Sequence, residues 1–198
     1  MDFFYLLGLI IALALVSVTV LILVNDSDIV TFLAERLGKD PGTVFKGKVV
    51  WLTGASSGIG ENIATELAKC GAKIILSARR KEELERVRSD CLKINPLLRE
   101  KDVLVLPLDM VDLKSHEPAL QKILDHFGRL DVLISNAGRY IKGDWHEIDL
   151  AVDKELFEVN VFSVVNMNRL VVKHFLQVGG GQIAVLSSTS GKVGVVLS

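Results

Sequence analysis

From its amino-acid sequence the chain is expected to be an α/β protein: a doubly wound parallel sheet of five strands, order 3-2-1-4-5, incomplete at its C-terminus and preceded by a transmembrane helix. Three observations predict this. Phe3 to Val24 carries no charged residue; the segment Thr53-Gly-Ala-Ser-Ser-Gly-Ile-Gly60 follows the apolar run Val49-Val50-Trp51-Leu52 and opens a helical stretch; and from Lys48 onward short apolar runs alternate with helical patterns.

A helix over Phe3 to Val24, rising ~1.5 Å per residue, extends about 33 Å, close to the thickness of a hydrocarbon core. A cleaved signal peptide or a buried core helix would give a similar run. No basic residue precedes this one, however, and no small-residue cleavage site follows it. An uncleaved anchor over 1–24 is therefore the reading. Arg36, Lys39, Lys46 and Lys48 lie on its C-terminal side, against Asp2 and the amino group on the other, so the positive-inside rule leans toward a cytosolic globular part.

Asn25 to Gly47 reads as an amphipathic tether ending in the turn residues Gly38-Lys39-Asp40-Pro41-Gly42. The globular part is expected over 48–198. Strands are predicted near 48–53, 73–78, 103–108, 131–135 and 182–187, with helices near 59–70, 81–94, 112–127 and 150–177. Strands alternating with helices imply a parallel sheet with a helix in each crossover. Right-handed crossovers put three strands on one side of the glycine turn and two on the other, which is the Rossmann-type arrangement with its ligand crevice at the strand C-termini.

Composition narrows the partners. The 198 residues are 49% hydrophobic and carry 23 basic against 24 acidic side chains, a balance that argues against nucleic acid. Cys70 and Cys91 show neither disulfide density nor Cys-x-x-Cys spacing. His116, His126, His146 and His174 lack metal-ligand spacing. No metal is expected.

Glycine is needed in the Thr53–Gly60 turn because a pyrophosphate approaches the backbone closely and accepts hydrogen bonds from N–H groups at a helix N-terminus. A side chain at Gly54, Gly58 or Gly60 is expected to block that approach. The spacing Gly54-x-x-x-Gly58-x-Gly60 differs from the Gly-x-Gly-x-x-Gly dinucleotide fingerprint. It is also no P-loop, since Glu61 stands where that motif needs lysine. Asp109 ends the third strand, Asn136-Ala137-Gly138 follow the fourth, Asn160 falls within the long helix, and Ser187-Ser188 follow the fifth. In this order the motifs resemble the short-chain dehydrogenase/reductase family, and the resemblance runs from Lys48 to the last residue.

That resemblance implies roles. Gly54, Ser56, Ser57, Gly58, Ile59 and Gly60 would line the diphosphate turn. Asp109 would accept a hydrogen bond from the adenine amino group, or serve only as a strand-end turn residue. Asn136, Ala137 and Gly138 would pass behind the nicotinamide ribose; Ser135 stands where many relatives have asparagine. At the end of the second strand, where NAD-specific relatives carry a carboxylate, the chain reads Ser77-Ala78-Arg79-Arg80. Arg79 supplies a planar fork suited to a 2′-phosphate, so NADP(H) is the expected cofactor, with a solvated Arg-Arg-Lys run as the alternative.

Ser188 would polarise a carbonyl and Asn160 would relay a proton from a Tyr-x-x-x-Lys pair. Neither tyrosine fits that pair: Tyr5 lies in the anchor, and the fourth residue after Tyr140 is Asp144. The sequence is thus read as truncated before its proton donor, with Val161, Val164, Val165 and Leu170 expected to be uncovered. The implied function is a membrane-anchored oxidoreductase of the endoplasmic reticulum acting on a lipophilic carbonyl or alcohol, steroid- or retinoid-like. The alternative is a non-catalytic nucleotide-binding fragment. A homo-oligomer is expected only of a longer form.

Overall fold

Val49-Val50-Trp51-Leu52-Thr53 forms β1, and all five residues are buried. A strand packed on both faces has no polar side to alternate, hence the unbroken apolar run. In the computed structural model, which describes residues 3–24 and 29–188, β1 is the centre of a parallel five-stranded sheet. The other strands are β2 (Lys73–Ser77), β3 (Val103–Val105), β4 (Val132–Ser135) and β5 (Gln182–Val185), in the expected order β3-β2-β1-β4-β5.

Alternate β1 side chains enter two cores. Val50 and Leu52 pack with Ala64 and Leu67 of α4 (Gly58–Lys69) and with Leu84 and Val87 of α5 (Lys81–Ile94). Val49 and Trp51 pack on the other face with Leu120 and Ile123 of α6 (His116–Phe127) and with Met167, Val171 and Phe175 of the last helix. Trp51 is fully buried, and its indole N–H donates to the Ser77 hydroxyl at 2.9 Å.

Local deviations from the expected spans have identifiable causes. β3 is formally three residues long, yet the N–H groups of Leu106 and Leu108 still donate to Leu76 and Ala78 at 3.0 Å. Pro107 between them has no N–H to give. Leu113–Ser115 forms a 3₁₀ turn ahead of α6. The long helix is α7 (Leu150–Phe157), a π turn over Glu158–Phe162, and α8 (Ser163–Val178).

β5 lies at the sheet edge, with Val185 51% exposed. Of the four side chains expected to be uncovered, Val161 and Val165 are exposed. Val164 and Leu170 are half-buried, Leu170 because it leans on the second core.

The chain divides into two compact units, Met1–Asp40 and Pro41–Ser198. In the first, α1 (Phe3–Val24) has exposed side chains over Phe3–Val20 and a mean hydropathy of 2.6 there, enough length and apolarity to cross a membrane. The hydroxyls of Ser17 and Thr19 donate back to the carbonyls of Leu13 and Leu15, so these polar groups are satisfied inside the helix. Within the stretch expected as a tether two helices form: α2 (Ile29–Leu37) closes with Gly38 N–H on the Ala34 carbonyl, and α3 (Pro41–Phe45) belongs to the second unit.

The β1–α4 turn separates the three glycines that sequence treats alike. Gly54 has φ +67°, and a Cβ there would lie 2.8 Å from Ala137 Cα. At Gly60 a Cβ would collide with the Gly54 carbonyl and lie 2.7 Å from Asn136 Nδ2. Gly58 has φ +58° with open space around it. Gly54 and Gly60 are thus required by the protein's own backbone, and only at Gly58 would a side chain project into free space.

Two stability measurements check this packing, both by chemical denaturation. Ser77→Ala leaves the Trp51 indole N–H unpaired in the core and is expected to cost about 1–3 kcal/mol. Gly60→Ala, blocked by backbone, is expected to cost more than Gly58→Ala, whose penalty is the left-handed backbone alone at about 1–2 kcal/mol.

Candidate nucleotide site

A cavity of about 910 Å³ opens at the C-terminal ends of β1 and β4, between the β1–α4 turn, the segments after β2 and β3, and the helix α7. Every expected cofactor residue except Gly58 lines it: Gly54, Ser56, Ser57, Ile59 and Gly60 from the turn, Arg79 after β2, Asp109 after β3, and Asn136, Ala137 and Gly138 after β4. Gly58 is part of the same turn but outside the lining.

Each piece is placed by a local cause. Ser57 caps α4 in extended geometry (φ −168°) and its hydroxyl makes no bond to the helix end. The amide donors of the first turn therefore have no side-chain cap, and a helix N-terminus left this way favours an anion. Glu61, one residue past the turn, would oppose that anion. It is held instead by Arg86 of α5 through two bonds of 2.7 and 2.9 Å, and this partner keeps its carboxyl below the usual range. The same guanidinium reaches Glu83 at 3.0 Å and the Ser56 carbonyl at 3.5 Å.

Asn136 acts on the protein rather than on open space. Its Nδ2 donates to the carbonyls of Thr53 (2.9 Å) and Gly54 (3.1 Å), while the N–H groups of Asn136 and Ala137 both donate to the Thr53 hydroxyl at 3.1 Å. Thr53 is completely buried. Ser135 donates its hydroxyl to Asn168 Oδ1 of α8 at 3.0 Å, which gives that position a structural partner.

Arg79 and Arg80 are both exposed, both line the cavity, and neither forms an ion pair among the described residues. Asp109 is exposed, and its Oδ1 accepts the Val111 N–H at 3.2 Å, so it closes a strand-end turn while still facing the cavity.

The two expected catalytic residues lie outside the cavity lining. Asn160 sits in the π turn, where its Oδ1 accepts the Arg139 N–H and its Nδ2 donates to the Arg139 carbonyl, each at 2.8 Å. Ser188 is exposed in the coil after β5.

Sequence reading overlooked the far wall. Arg139, Lys154, Glu155 and Glu158 line it, and Arg139 pairs with Glu155 at 3.1 Å. Helical spacing was the available signal, since positions 154, 155 and 158 share one face of α7 and its continuation. Asp144, His146 and Glu147 bring ligand atoms within 4.8 Å of one another at the exposed surface. No metal role is assigned to this exposed group, as such acidic clusters are ordinary surface features.

Comparison with known proteins agrees with this geometry. The family description short chain dehydrogenase matches residues 48–198. The mouse protein named dehydrogenase/reductase SDR family member 7 is 43% identical over 173 residues, covering 87% of this chain and 51% of the relative. An Arabidopsis thaliana protein named 11-beta-hydroxysteroid dehydrogenase-like 2 is 37% identical over 73% of this chain and 46% of its own length. The chain thus spans about half the length of the curated relatives it matches. Among solved structures, a short chain dehydrogenase from Mycobacterium smegmatis superposes with TM-score 0.72 at 26% identity, covering 78% of this chain and 63% of that one. An actinorhodin polyketide ketoreductase variant crystallised with NADPH gives TM-score 0.70 at 29% identity, covering 76% and 57%. With a glycine turn, sheet order and motif series that all coincide with this family, the chain belongs to the short-chain dehydrogenases.

Proposed function

We propose that the cavity binds NADP(H) and that the protein is a membrane-anchored oxidoreductase acting on a lipophilic carbonyl or alcohol. One observation carries the cofactor choice. The end of β2 offers two unpaired arginines to the cavity and no carboxylate. A guanidinium fork matches a 2′-phosphate, whereas a ribose 2′-hydroxyl is held best by an acid. In this reading the pyrophosphate lies on the uncapped start of α4, the adenine faces Asp109 and Val111, and the nicotinamide half runs along Asn136 to Gly138. The ketoreductase bound to NADPH and a relative named for 11-beta-hydroxysteroid support the cofactor and a steroid-like substrate class.

The bound dinucleotide would supply or accept a hydride. The chain's own residues hold and orient it: the turn by its backbone donors, Arg79 by charge, and Asn160 by fixing the peptide that follows Gly138. A second reading, a nucleotide-binding module without turnover, is favoured by Asn160, whose amide is spent at both ends on Arg139. In 198 residues neither Tyr5 nor Tyr140 is followed by lysine four positions on. These residues alone are therefore proposed to bind nucleotide without reducing substrate. α1 is proposed as an anchor in the endoplasmic reticulum, with Arg36, Lys39, Lys46 and Lys48 on the cytosolic side.

Calorimetric titration of the full chain in detergent should show tighter binding of NADPH than NADH. Arg79→Glu should weaken NADPH about ten- to a hundredfold, the range of a lost charge-assisted contact, and leave NADH unchanged or bound more tightly. Equal affinity of the unaltered chain for the two nucleotides would remove the Arg79 assignment. In cells the chain is expected to stay in the membrane fraction after alkaline carbonate washing; release into the wash contradicts an anchor.

A further inference from the structure

The first residue of α6 is a histidine outside the cavity lining. His116 is fully buried, and both ring nitrogens are engaged: Nε2 lies 3.0 Å from the Met110 carbonyl oxygen and Nδ1 lies 3.0 Å from Nδ2 of Asn166, on α8. An amide nitrogen only donates, so Nδ1 accepts and the ring proton sits on Nε2, which donates to Met110. The orientation of Asn166 is fixed by the same logic. Its Nδ2 also faces the Leu113 carbonyl at 3.4 Å, where its oxygen would be repelled. Burial holds the imidazole below its usual pKa against the opposing pull of the Met110 carbonyl and Asp112, which agrees with a neutral ring. A cation at the positive end of a helix would be disfavoured as well.

We infer that His116, oriented by Asn166, is a positioning residue that sets the adenine-side wall of the nucleotide cavity by anchoring the Met110 carbonyl. The inference rests on the nucleotide reading above. Leu108, Asp109, Met110 and Val111 all line the cavity. Leu108 is the last of them to bond the sheet, donating to Ala78, and beyond it the bonds of Val111 and Asp112 return to Asp109 itself. The bond from His116 to Met110 therefore ties this segment to α6 and, through Asn166, to α8. An apolar side chain at 116 would leave the Met110 carbonyl and the Asn166 amide without these partners. Glutamine keeps an N–H for the first and an oxygen for the second.

The test uses the full chain in detergent and two probes: NADPH and its hypoxanthine analogue, which lacks the amino group that Asp109 would receive. The unaltered chain is expected to prefer NADPH. His116→Leu should bind NADPH about tenfold more weakly and lose most of that preference, because a displaced Asp109 no longer reads the amino group. Asn166→Ala, a milder change at a half-buried position, should shift both quantities in the same direction. His116→Gln should stay close to the unaltered chain. Variants that keep the original preference, or that weaken both probes equally, overturn the positioning role while leaving the nucleotide reading intact. An unaltered chain that binds neither probe overturns the nucleotide reading and this inference with it; one that binds both alike overturns this inference alone.

Discussion

The join between the ends of β1 and β4 is the constraint on which the rest depends. Thr53 is buried at the last position of β1, and its hydroxyl accepts two successive backbone N–H groups from the start of the Asn136–Gly138 segment. Asn136 answers with its amide on the carbonyls of Thr53 and Gly54. The approach is possible only because Gly54 and Gly60 lack a Cβ that would strike Ala137, Asn136 or the turn's own carbonyl. A buried polar group is tolerated when its bonds are complete, and here each end of one strand completes the other. The wall of the crevice at these ends is therefore fixed by hydrogen bonds internal to the protein.

The long last helix braces this crevice from outside. Asn160 in its π turn holds the Arg139 peptide, Asn168 receives the Ser135 hydroxyl, and Asn166 orients His116. Three asparagines on one helix thus reach the segment after β4, the end of β4 itself and, through His116, the segment after β3. A π turn shifts the residues beyond it around the helix axis, and such turns recur where a side chain must be re-aimed. Asn160 occupies that position.

Much of this arrangement was legible in the sequence because it follows from periodicity. Buried strands have to be apolar throughout, and their crossovers share one hand, so the sheet order followed from the alternation together with the place of the glycine turn. The residues expected to meet a ligand through a motif, such as Arg79 and Asp109, were also readable as a group, and they line one cavity. What escaped depends on contacts between distant parts of the chain. Nothing near Gly60 announces that its neighbour is Asn136, 76 positions on, and a lone histidine at the start of a helix has the same local appearance whether exposed or, like His116, sealed in the core. Arg86 was invisible for the same reason: in sequence Glu61 stands beside a phosphate turn, and only the packing of α5 on α4 supplies its counter-charge.

Trp51 has an optical consequence. Its indole is shut off from water at the middle of β1, two residues before the buried threonine and three before the glycine turn. An indole in so apolar a setting emits toward the blue, where reduced nicotinamide absorbs. The central strand therefore carries a built-in energy donor close to the crevice, and occupancy of that crevice by a reduced dinucleotide would be written directly into the protein's own fluorescence.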